Sequence, residues 1–296
     1  MQTVVITGVN GFIGSYLTRI LLSRYKVVGT GKGECRLDLN HDNFRYKSLD
    51  FTNEKEVVEV FASCNPEIIV HAGALSKPDD CEQNKDLAYH TNVTATGYLL
   101  REAARRGSFF IFLSTDFIFS GEEGMYREDD PAAPVNYYGQ TKLEAEALVK
   151  DYPFDWCIVR TVLVYGHPQG GRDNILTMVA GGLKEGRRLK IFGDQERTPT
   201  YVEDLAQGLK SIIDKRAAGI YHISGEEVRT PYQMAIEAAD YLDLDKNLIE
   251  KVNEQTFHQP ARRPLKTGFN LAKAKRELAY RPTSFAEGLK KTFPAG

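Results

Sequence analysis

The stretch Met1-Gln-Thr-Val-Val-Ile-Thr7-Gly8-Val-Asn-Gly11-Phe-Ile-Gly14-Ser-Tyr16 decides the fold of this 296-residue chain. An apolar run typical of a buried β-strand breaks into three glycines spaced by three, and an amphipathic helical pattern follows. In such a turn Gly8 permits the tight change of direction, Gly11 lets the backbone approach a pyrophosphate, and Gly14 lets the helix pack on the strand. The helix N-terminus offers unpaired N–H groups and a positive dipole end. The stretch therefore predicts a dinucleotide site rather than an ordinary turn.

Short apolar runs alternate with amphipathic helical patterns through the first half of the chain. Further strands are predicted at 26–30, 67–72, 109–113 and 157–160, and helices at 54–62, 86–106 and 141–150. Strands that are apolar on both faces and alternate with helices indicate a parallel sheet covered on both sides. The predicted fold class is α/β, a doubly wound parallel sheet of Rossmann type.

The pattern changes after residue 166, where loops become longer. Helices are predicted at 173–185 and 232–242, with one more strand at 220–224. We predict a dinucleotide-binding Rossmann domain over residues 1–166, to which about 200–225 return. A smaller mixed α/β lobe over 167–296 would bind substrate and close over the carboxyl edge of the sheet, where ligands bind in this architecture.

Composition and charge limit the classes of partner. The net charge is −2 and no long basic run is present, which argues against nucleic acid or a membrane surface. No apolar stretch approaches the roughly 18 residues of a membrane span, so we expect a cytoplasmic protein. The four cysteines lack CxxC spacing and the histidines are scattered, so no metal site is predicted. A homodimer is compatible with the sequence, which does not determine the oligomeric state.

The segment Asn136-Tyr-Tyr138-Gly-Gln-Thr-Lys142 opens a predicted helix and carries a candidate acid. Tyr138 and Lys142 stand four residues apart and share one helical face. A nearby ammonium favours the phenolate and lowers a tyrosine pKa from its usual value near 10. Taken alone, this spacing favours an exposed tyrosine and a solvated lysine over a catalytic pair.

Hydroxyl groups follow the apolar strand at 109–113. Ser114 and Thr115 are expected at the carboxyl edge of the sheet, where either can hydrogen-bond a substrate carbonyl while Tyr138 supplies a proton. The alternative is that Ser114-Thr115-Asp116 only satisfies backbone groups in a turn.

Several motifs, in this order, resemble those of an extended short-chain dehydrogenase/reductase. They are Thr7-Gly8-x-x-Gly11-x-x-Gly14, Asp50 in Leu-Asp-Phe-Thr, His71-Ala-Gly-Ala74, Ser114-Thr115-Asp116 and Tyr138-x-x-x-Lys142. Within that superfamily the chain is similar to the dTDP-4-dehydrorhamnose reductase branch. The segments that carry this likeness are Ser114-Thr-Asp-Phe-Ile-Phe-Ser-Gly121, Gly193-Asp-Gln195-Glu-Arg-Thr-Pro199 and Arg262-Arg-Pro264.

The resemblance implies a catalytic triad of Tyr138, Lys142 and Thr115. Tyr138 would protonate the C4 keto oxygen of a nucleotide sugar, and Lys142 would bind the nicotinamide ribose and lower the tyrosine pKa. The other implied cofactor contacts are Gly8, Gly11, Phe12, Ile13, Gly14, Asp50, Phe51, Ala72, Gly73, Ala74, Ser114, Val162 and Leu163. The implied substrate contacts are Ser76, Thr115, Asp116, Phe117, Arg197, Pro199 and Arg262.

The end of the second strand bears on the choice of cofactor. A free ribose 2′-hydroxyl is usually met by an acidic residue there, but this chain has Gly29-Thr30-Gly31-Lys32. No carboxylate repels a 2′-phosphate, and Lys32 can pair with one. We therefore predict NADPH, with NADH as the second choice, and expect Thr30 and Lys32 beside the cofactor.

Two other functions compete with the reductase. The first is a nucleotide-sugar epimerase or dehydratase, which would hold NAD tightly. Dehydratases of this type carry two acidic residues after the Ser/Thr of the active-site strand, whereas this chain has Asp116-Phe117 there. The second alternative is a regulatory NADP-binding subunit, because the β subunit of methionine adenosyltransferase is similar to the same reductase branch.

Overall fold

The computed structural model of the chain describes residues 1–169 and 173–294. Its strands are β1 (Thr3–Thr7), β2 (Lys26–Gly31), β3 (Phe44–Ser48), β4 (Ile68–His71), β5 (Phe109–Thr115), β6 (Trp156–Thr161), β7 (Val164–Tyr165), β8 (Leu189–Phe192), β9 (Thr200–Tyr201), β10 (Gly219–His222) and β11 (Ile249–Val252). Its helices are α1 (Phe12–Leu21), α2 (Glu54–Cys64), α3 (Pro78–Gln83), α4 (Lys85–Tyr89), α5 (Ala95–Ala104), α6 (Tyr137–Lys150), α7 (Ile175–Lys184), α8 (Val202–Lys215), α9 (Pro231–Tyr241), α10 (Ala272–Leu278) and α11 (Phe285–Thr292).

Seven strands form one parallel sheet in the order β10-β6-β5-β4-β1-β2-β3. Val4, Val5 and Ile6 of β1 have no exposed surface, as expected of a central strand covered on both faces. Val4 and Ile6 pack in one core cluster with α1 and α8, whereas Val5 packs in a second cluster with α2, α5 and α6. The predicted doubly wound α/β fold is confirmed.

The strand β3 was not predicted from the sequence. It pairs with β2 alone and forms one edge of the sheet, and its residues Phe44-Arg-Tyr-Lys-Ser48 do not make an apolar run. An edge strand is exposed along one side, so it does not need the continuous apolar pattern of the central strands.

Two predicted helices differ from the structure in ways that affect the site. The helix expected at 86–106 consists of α4 and α5 joined by a π-helical turn, His90–Thr94. The helix expected from residue 141 begins earlier, at Tyr137, so that Tyr138 lies in its first turn.

The later part of the chain adds two small parallel pairs, β7 with β9 and β8 with β11. Helices α7 and α9 pack against β8 in a separate apolar cluster. In contrast, α8 packs on α1 and β10 joins the large sheet. The domain boundary at residue 166 stays a prediction. Within the described residues, no helix has both the length and the apolar surface that a membrane crossing requires.

Candidate active site

A cleft of about 720 Å³ lies at the carboxyl ends of β1, β4 and β5. It joins the glycine-rich turn after β1 to the first turn of α6. Its lining includes the following residues predicted from the sequence: Gly8, Gly11, Phe12, Ile13, Gly14, Ala72, Gly73, Ala74, Ser76, Ser114, Thr115, Asp116, Phe117, Tyr138, Lys142, Leu163 and Arg197.

The glycine-rich turn is built as its spacing predicted. Gly8 has a φ of +73°, a conformation that favours glycine. A Cβ on Gly14 would lie 2.5 Å from the carbonyl oxygen of Gly8, so only glycine lets α1 pack this closely on the turn. A Cβ on Gly11 would lie 3.0 Å from the same oxygen. The turn thus presents bare backbone at the N-terminus of α1, an arrangement suited to a phosphate.

The end of β4 forms the adjoining wall of the cleft. The ring of Phe51 packs on Gly73, where a Cβ would lie 2.6 Å from its Cε1 atom. His71 is buried, with Nδ1 2.7 Å from the hydroxyl of Thr7 and Nε2 3.2 Å from that of Thr96. Burial lowers the pKa of His71 to about 3. It is a neutral hydrogen-bonding residue at the end of the strand.

Tyr138 meets the end of β5 because α6 begins against the loop after that strand. Asn136 caps the helix and accepts a hydrogen bond from the backbone N–H of Gly139 at 2.9 Å. A Cβ on Gly139 would lie only 2.0 Å from the carbonyl oxygen of Phe117. This close backbone contact places Tyr138 beside Thr115, and the rings of Phe117 and Tyr138 meet edge to face at 5.9 Å.

Lys142 occupies the predicted helical face but makes a different contact from the expected one. Its Nζ donates to the carbonyl oxygen of Leu113 at 2.7 Å and lies 3.8 Å from the centre of the Phe112 ring. Burial lowers the pKa of Lys142 to about 7, and burial also raises the pKa of Tyr138. The predicted lowering of the Tyr138 pKa by Lys142 is therefore not found, and the removal of the phenol from water dominates the shift.

Asp116 is buried at the end of β5. It accepts hydrogen bonds from Thr115 at 3.0 Å and from Thr267, and the Nε atom of Arg197 lies 3.7 Å away. Burial raises the pKa of Asp116, and Arg197 opposes that rise. The guanidinium of Arg197 is otherwise held by the backbone carbonyls of residues 196, 264 and 265. Arg197 thus reaches the cleft as predicted, but most of its donors are already used.

The Ser114 hydroxyl in the cleft is buried and has no partner within the described part of the chain. The Oγ atom of Ser114 is buried and makes no hydrogen bond to protein. A buried unpaired hydroxyl is costly unless a ligand or water satisfies it. Ser114 therefore offers a polar group to a ligand that binds in the cleft.

Five predicted cofactor contacts do not line the cleft, namely Thr30, Lys32, Asp50, Phe51 and Val162. Thr30 is buried and donates to the carbonyl oxygen of Ile6 at 3.3 Å. The Nζ of Lys32 lies 2.9 Å from Asp50, and the Lys32 side chain is 83% exposed. Val162 is fully buried in the core. Thr30 and Val162 are enclosed by tertiary packing, and the loop after β2 turns Lys32 toward Asp50.

Two predicted substrate contacts also lie elsewhere. Pro199 is buried with its carbonyl oxygen against Gly225. Arg262 is 64% exposed, 3.7 Å from Glu254, and borders a separate cavity of about 200 Å³.

The sequence reasoning also missed several residues of the cleft. Arg36 lines it, and its backbone N–H donates to the Oδ1 atom of Asn10 at 2.9 Å. Arg263 lines it next to Asp79, with Nη2 and Oδ2 2.9 Å apart. Each lies close in sequence to a basic residue that was predicted to contact a ligand, Lys32 for Arg36 and Arg262 for Arg263. The remaining missed residues are Asn10, Pro78, Leu113, Thr161, Val164, Gln195 and Pro231. Among the residues described, no group of three histidine, cysteine or acidic side chains is placed to hold a metal ion.

Known proteins similar to this chain include reductases and a subunit of methionine adenosyltransferase. A probable low-salt glycan biosynthesis reductase of Haloferax volcanii is 30% identical over 92% of this chain and 91% of its own length. Methionine adenosyltransferase 2 subunit beta of Pongo abelii is 28% identical over 98% of this chain and 87% of its own length. The crystal structure of dTDP-4-dehydrorhamnose reductase from Bacillus anthracis in complex with NADP has a TM-score of 0.85 and 28% identity, covering 99% of this chain and 98% of that one.

These similarities agree with the architecture and with the order of the motifs. They indicate an oxidoreductase of the extended short-chain type that uses a nicotinamide cofactor. The RmlD substrate binding domain family matches residues 1–295. The chain belongs to the RmlD substrate binding domain family.

Proposed function

We propose that this protein reduces the keto group of a 4-keto nucleotide sugar with NADPH. The observation that carries the proposal is a single cleft that joins the glycine-rich turn to Tyr138, Lys142 and Thr115. Bare backbone at Gly8 and Gly14 fits a dinucleotide phosphate, and the unpaired Ser114 hydroxyl fits a polar ligand group. The cytoplasmic location and the homodimer stay predictions.

The residues of the cleft divide the chemistry. When bound, NADPH supplies the hydride. Tyr138 donates its proton to the keto oxygen, which becomes the new hydroxyl of the product. A buried phenol keeps that proton until negative charge develops on the oxygen, which is when donation stabilises the transition state most. Lys142 stands one helical turn further along the same face, where its ammonium can hold ribose hydroxyls.

Arg36 supports the choice of NADPH over NADH. It lies on the cleft after β2, near the place where Lys32 was expected to act. Its loop is anchored by Asn10, which bonds the backbone of both Glu34 and Arg36, and by Tyr46, whose hydroxyl donates to the carbonyl of Gly31 at 2.7 Å. A guanidinium on an anchored loop suits a 2′-phosphate.

Arg263 is the residue we assign to the diphosphate of the substrate. Its side chain is 13% exposed, and its Nη1 and Nη2 atoms donate to the two carboxylate oxygens of Asp79 at 3.0 and 2.9 Å, which fixes the guanidinium beside the cleft. We expect Arg263→Gln to raise the Kd of dTDP, measured by calorimetry, by about 10-fold or more. Arg262→Gln is the matched control, because Arg262 points out of this cleft. Equal effects of the two substitutions would contradict the assignment.

The experiment that tests the reductase is turnover. Purified protein is mixed with NADPH and a panel of 4-keto nucleotide sugars, and the loss of NADPH absorbance is followed. We expect one or more sugars to be reduced, and Tyr138→Phe to abolish the reaction. A protein that binds NADPH but reduces no member of the panel would reject the proposal.

The relatives named methionine adenosyltransferase 2 subunit beta favour a second candidate, a regulatory subunit that binds NADP. The two functions differ in what the protein binds tightly. The tagged protein is purified from cells and its bound partners are identified. Recovery of a methionine adenosyltransferase in a stoichiometric amount, together with the absence of sugar reduction, would support the regulatory role.

A further inference from the structure

A buried ion pair joins helix α6 to strand β6, one helical turn beyond Lys142. The Nε and Nη2 atoms of Arg160 donate to the two carboxylate oxygens of Glu146 at 3.0 and 2.8 Å. Glu146 has no exposed surface, and Arg160 is 2% exposed. A buried pair of this kind is often no more stabilising than apolar side chains of similar size, because both charges lose their water. Its presence therefore calls for a reason other than stability.

Arg160 is also fixed on the side away from Glu146. Its Nη1 atom donates to the carbonyl oxygen of Glu128 at 3.0 Å and lies 3.4 Å from the Nε2 atom of His222. The Nδ1 atom of His222 lies 3.0 Å from the carbonyl oxygen of Tyr126, so Nδ1 carries the proton and Nε2 accepts from Arg160. Burial and the charge of Arg160 lower the pKa of His222, which keeps that ring neutral. The guanidinium is thus held on Glu146 by contacts from several segments.

The carboxylate that Arg160 binds lies on the helical face of Lys142. Glu146 follows Lys142 by four residues, and both side chains are buried. Helical side chains lean toward the N-terminus, which brings a carboxylate at 146 over the turn of Lys142, and opposite charges at this spacing attract each other. Among the described residues, however, no ion pair joins the two. The ammonium instead donates to the carbonyl oxygen of Leu113 at 2.7 Å, while Arg160 binds both oxygens of Glu146.

We propose that Arg160 is a positioning residue, which occupies Glu146 and so keeps the ammonium of Lys142 turned to the cleft. An ammonium has three donors and Leu113 uses one, so two remain for ribose hydroxyls. Without Arg160 the carboxylate would be buried and unpaired, with Lys142 as the buried cation one turn away. Lys150 lies 4.0 Å from the same carboxylate but is 42% exposed, so water screens its charge. The inference rests on the proposed binding of NADPH.

The charges around Lys142 make this arrangement measurable. The titratable groups that face it are Tyr138 and Glu146 on α6, Cys81 on α3 and His71 on β4. Burial keeps His71 neutral and raises the pKa values of Cys81 and Tyr138, so these three carry no charge near neutral pH. Glu146 is the charged group of the four, and it opposes the burial that lowers the pKa of Lys142 to about 7. The titration of Lys142 therefore responds to the approach of Glu146.

The test uses the full-length protein and needs no sugar substrate. In protein that carries isotope-labelled lysine, the NMR signal of Lys142 is assigned by its loss in Lys142→Met. The midpoint of its titration, and the Kd of NADPH by calorimetry, are measured for the parent, Arg160→Met, Glu146→Gln and the double variant Arg160→Met/Glu146→Gln. Arg160→Lys keeps a positive charge beside Glu146 and is the conservative control.

We expect Arg160→Met to raise the midpoint by about 1 to 3 pH units, because the freed carboxylate pairs with the ammonium. The same variant should raise the Kd of NADPH about 10-fold or more, since the ammonium turns from the cleft. Arg160→Lys should change both quantities by less. The loss of the Arg160 charge also raises the midpoint, so the decisive result is the Kd of the double variant. It should return close to that of the parent, because no carboxylate is left to capture Lys142.

Glu146→Gln by itself tests the inference without leaving a buried carboxylate unpaired. We expect it to lower the midpoint, because the charge that favours the ammonium is lost, and not to weaken the binding of NADPH. A higher Kd in Glu146→Gln would show that the carboxylate itself positions Lys142, and would overturn the inference even if Arg160→Met does not fold.

Two further results would also overturn the inference. An unchanged Kd in Arg160→Met would show that Glu146 does not capture Lys142. A double variant that binds NADPH as weakly as Arg160→Met would show that Arg160 only supports the packing of α6. If the parent binds NADPH but reduces no sugar, the reductase proposal fails, whereas these measurements still answer the question about Arg160.

Discussion

Gly139 offers a sharp test of how the active site is assembled. In the structure an ideal Cβ on this residue lies 2.0 Å from the carbonyl oxygen of Phe117, whereas real Cβ atoms essentially never approach closer than 3.0 Å. The difference, 3.0 minus 2.0, is 1.0 Å, so Gly139→Ala must open the contact by at least that distance. The obstacle is backbone rather than a flexible side chain. The start of α6 must therefore move away from the loop after β5.

This displacement acts directly on the catalytic pair. Tyr138 precedes Gly139, and Thr115 lies two residues before Phe117. A misplacement of about 1 Å costs roughly 100-fold in rate, and we expect such a loss in kcat for sugar reduction by Gly139→Ala. Crowding in a packed interior should also lower the free energy of unfolding by about 1–3 kcal/mol. Urea denaturation measures this second effect without a substrate.

Gly181 provides the matched control. It lies within α7, away from the cleft, and a Cβ there would meet no heavy atom within 4 Å. Gly181→Ala should leave kcat unchanged and raise the free energy of unfolding by about 0.5–1 kcal/mol, because alanine favours a helix. If Gly139→Ala kept both its stability and its kcat, the close backbone contact would not position Tyr138, and the reasoning would be wrong.

The remaining predictions concern single side chains of the cleft. Tyr138→Phe should lower kcat at least about 100-fold, because the proton donor is lost, while calorimetry finds an NADPH affinity close to that of the parent. Arg36→Gln should raise the Kd of NADPH by about 10- to 100-fold without affecting NADH; Lys32→Gln, the exposed control, should change neither Kd. The pKa of Lys142 is lowered from 10.5 to about 7 on folding, so the unfolded chain holds the extra proton between these values and stability rises with pH across this window. Lys142→Met should remove this pH dependence of the free energy of unfolding, which amounts to up to about 5 kcal/mol at 1.4 kcal/mol per pKa unit. Urea denaturation at pH 6 and pH 10 should therefore show a stability difference between variant and parent that changes with pH. A difference that is the same at both pH values would contradict the lowered pKa.

Most of the fold was predictable because its signals are local. The glycine spacing after Ile6 and the apolar runs of β1, β4, β5 and β6 each report burial or backbone geometry within a few residues. The strand β3 was missed because it lies at an edge and carries no apolar run. The π-helical turn at His90–Thr94 was missed because a single widened turn leaves the helical periodicity nearly intact.

The candidate site was predicted in part. The residues that directly follow β1, β4 and β5 line the cleft, because parallel strands end at the same edge of the sheet. The choice among basic residues failed, and Arg36 and Arg263 stand where Lys32 and Arg262 were expected. Neighbouring residues in a loop have similar composition, so only the conformation of the loop decides which one faces the ligand.

The sequence by itself determined the parallel sheet, the glycine-rich turn and the helical pairing of Tyr138 with Lys142, since each depends on spacing along one strand or one helix. The tertiary structure alone decided which polar groups are free. Asp116 takes the proton of Thr115, Leu113 takes the ammonium of Lys142, and Ser114 is left without a partner among the described residues. Hydrogen-bond partners are chosen by which segments meet in space, and burial makes each choice exclusive by removing water as a competitor.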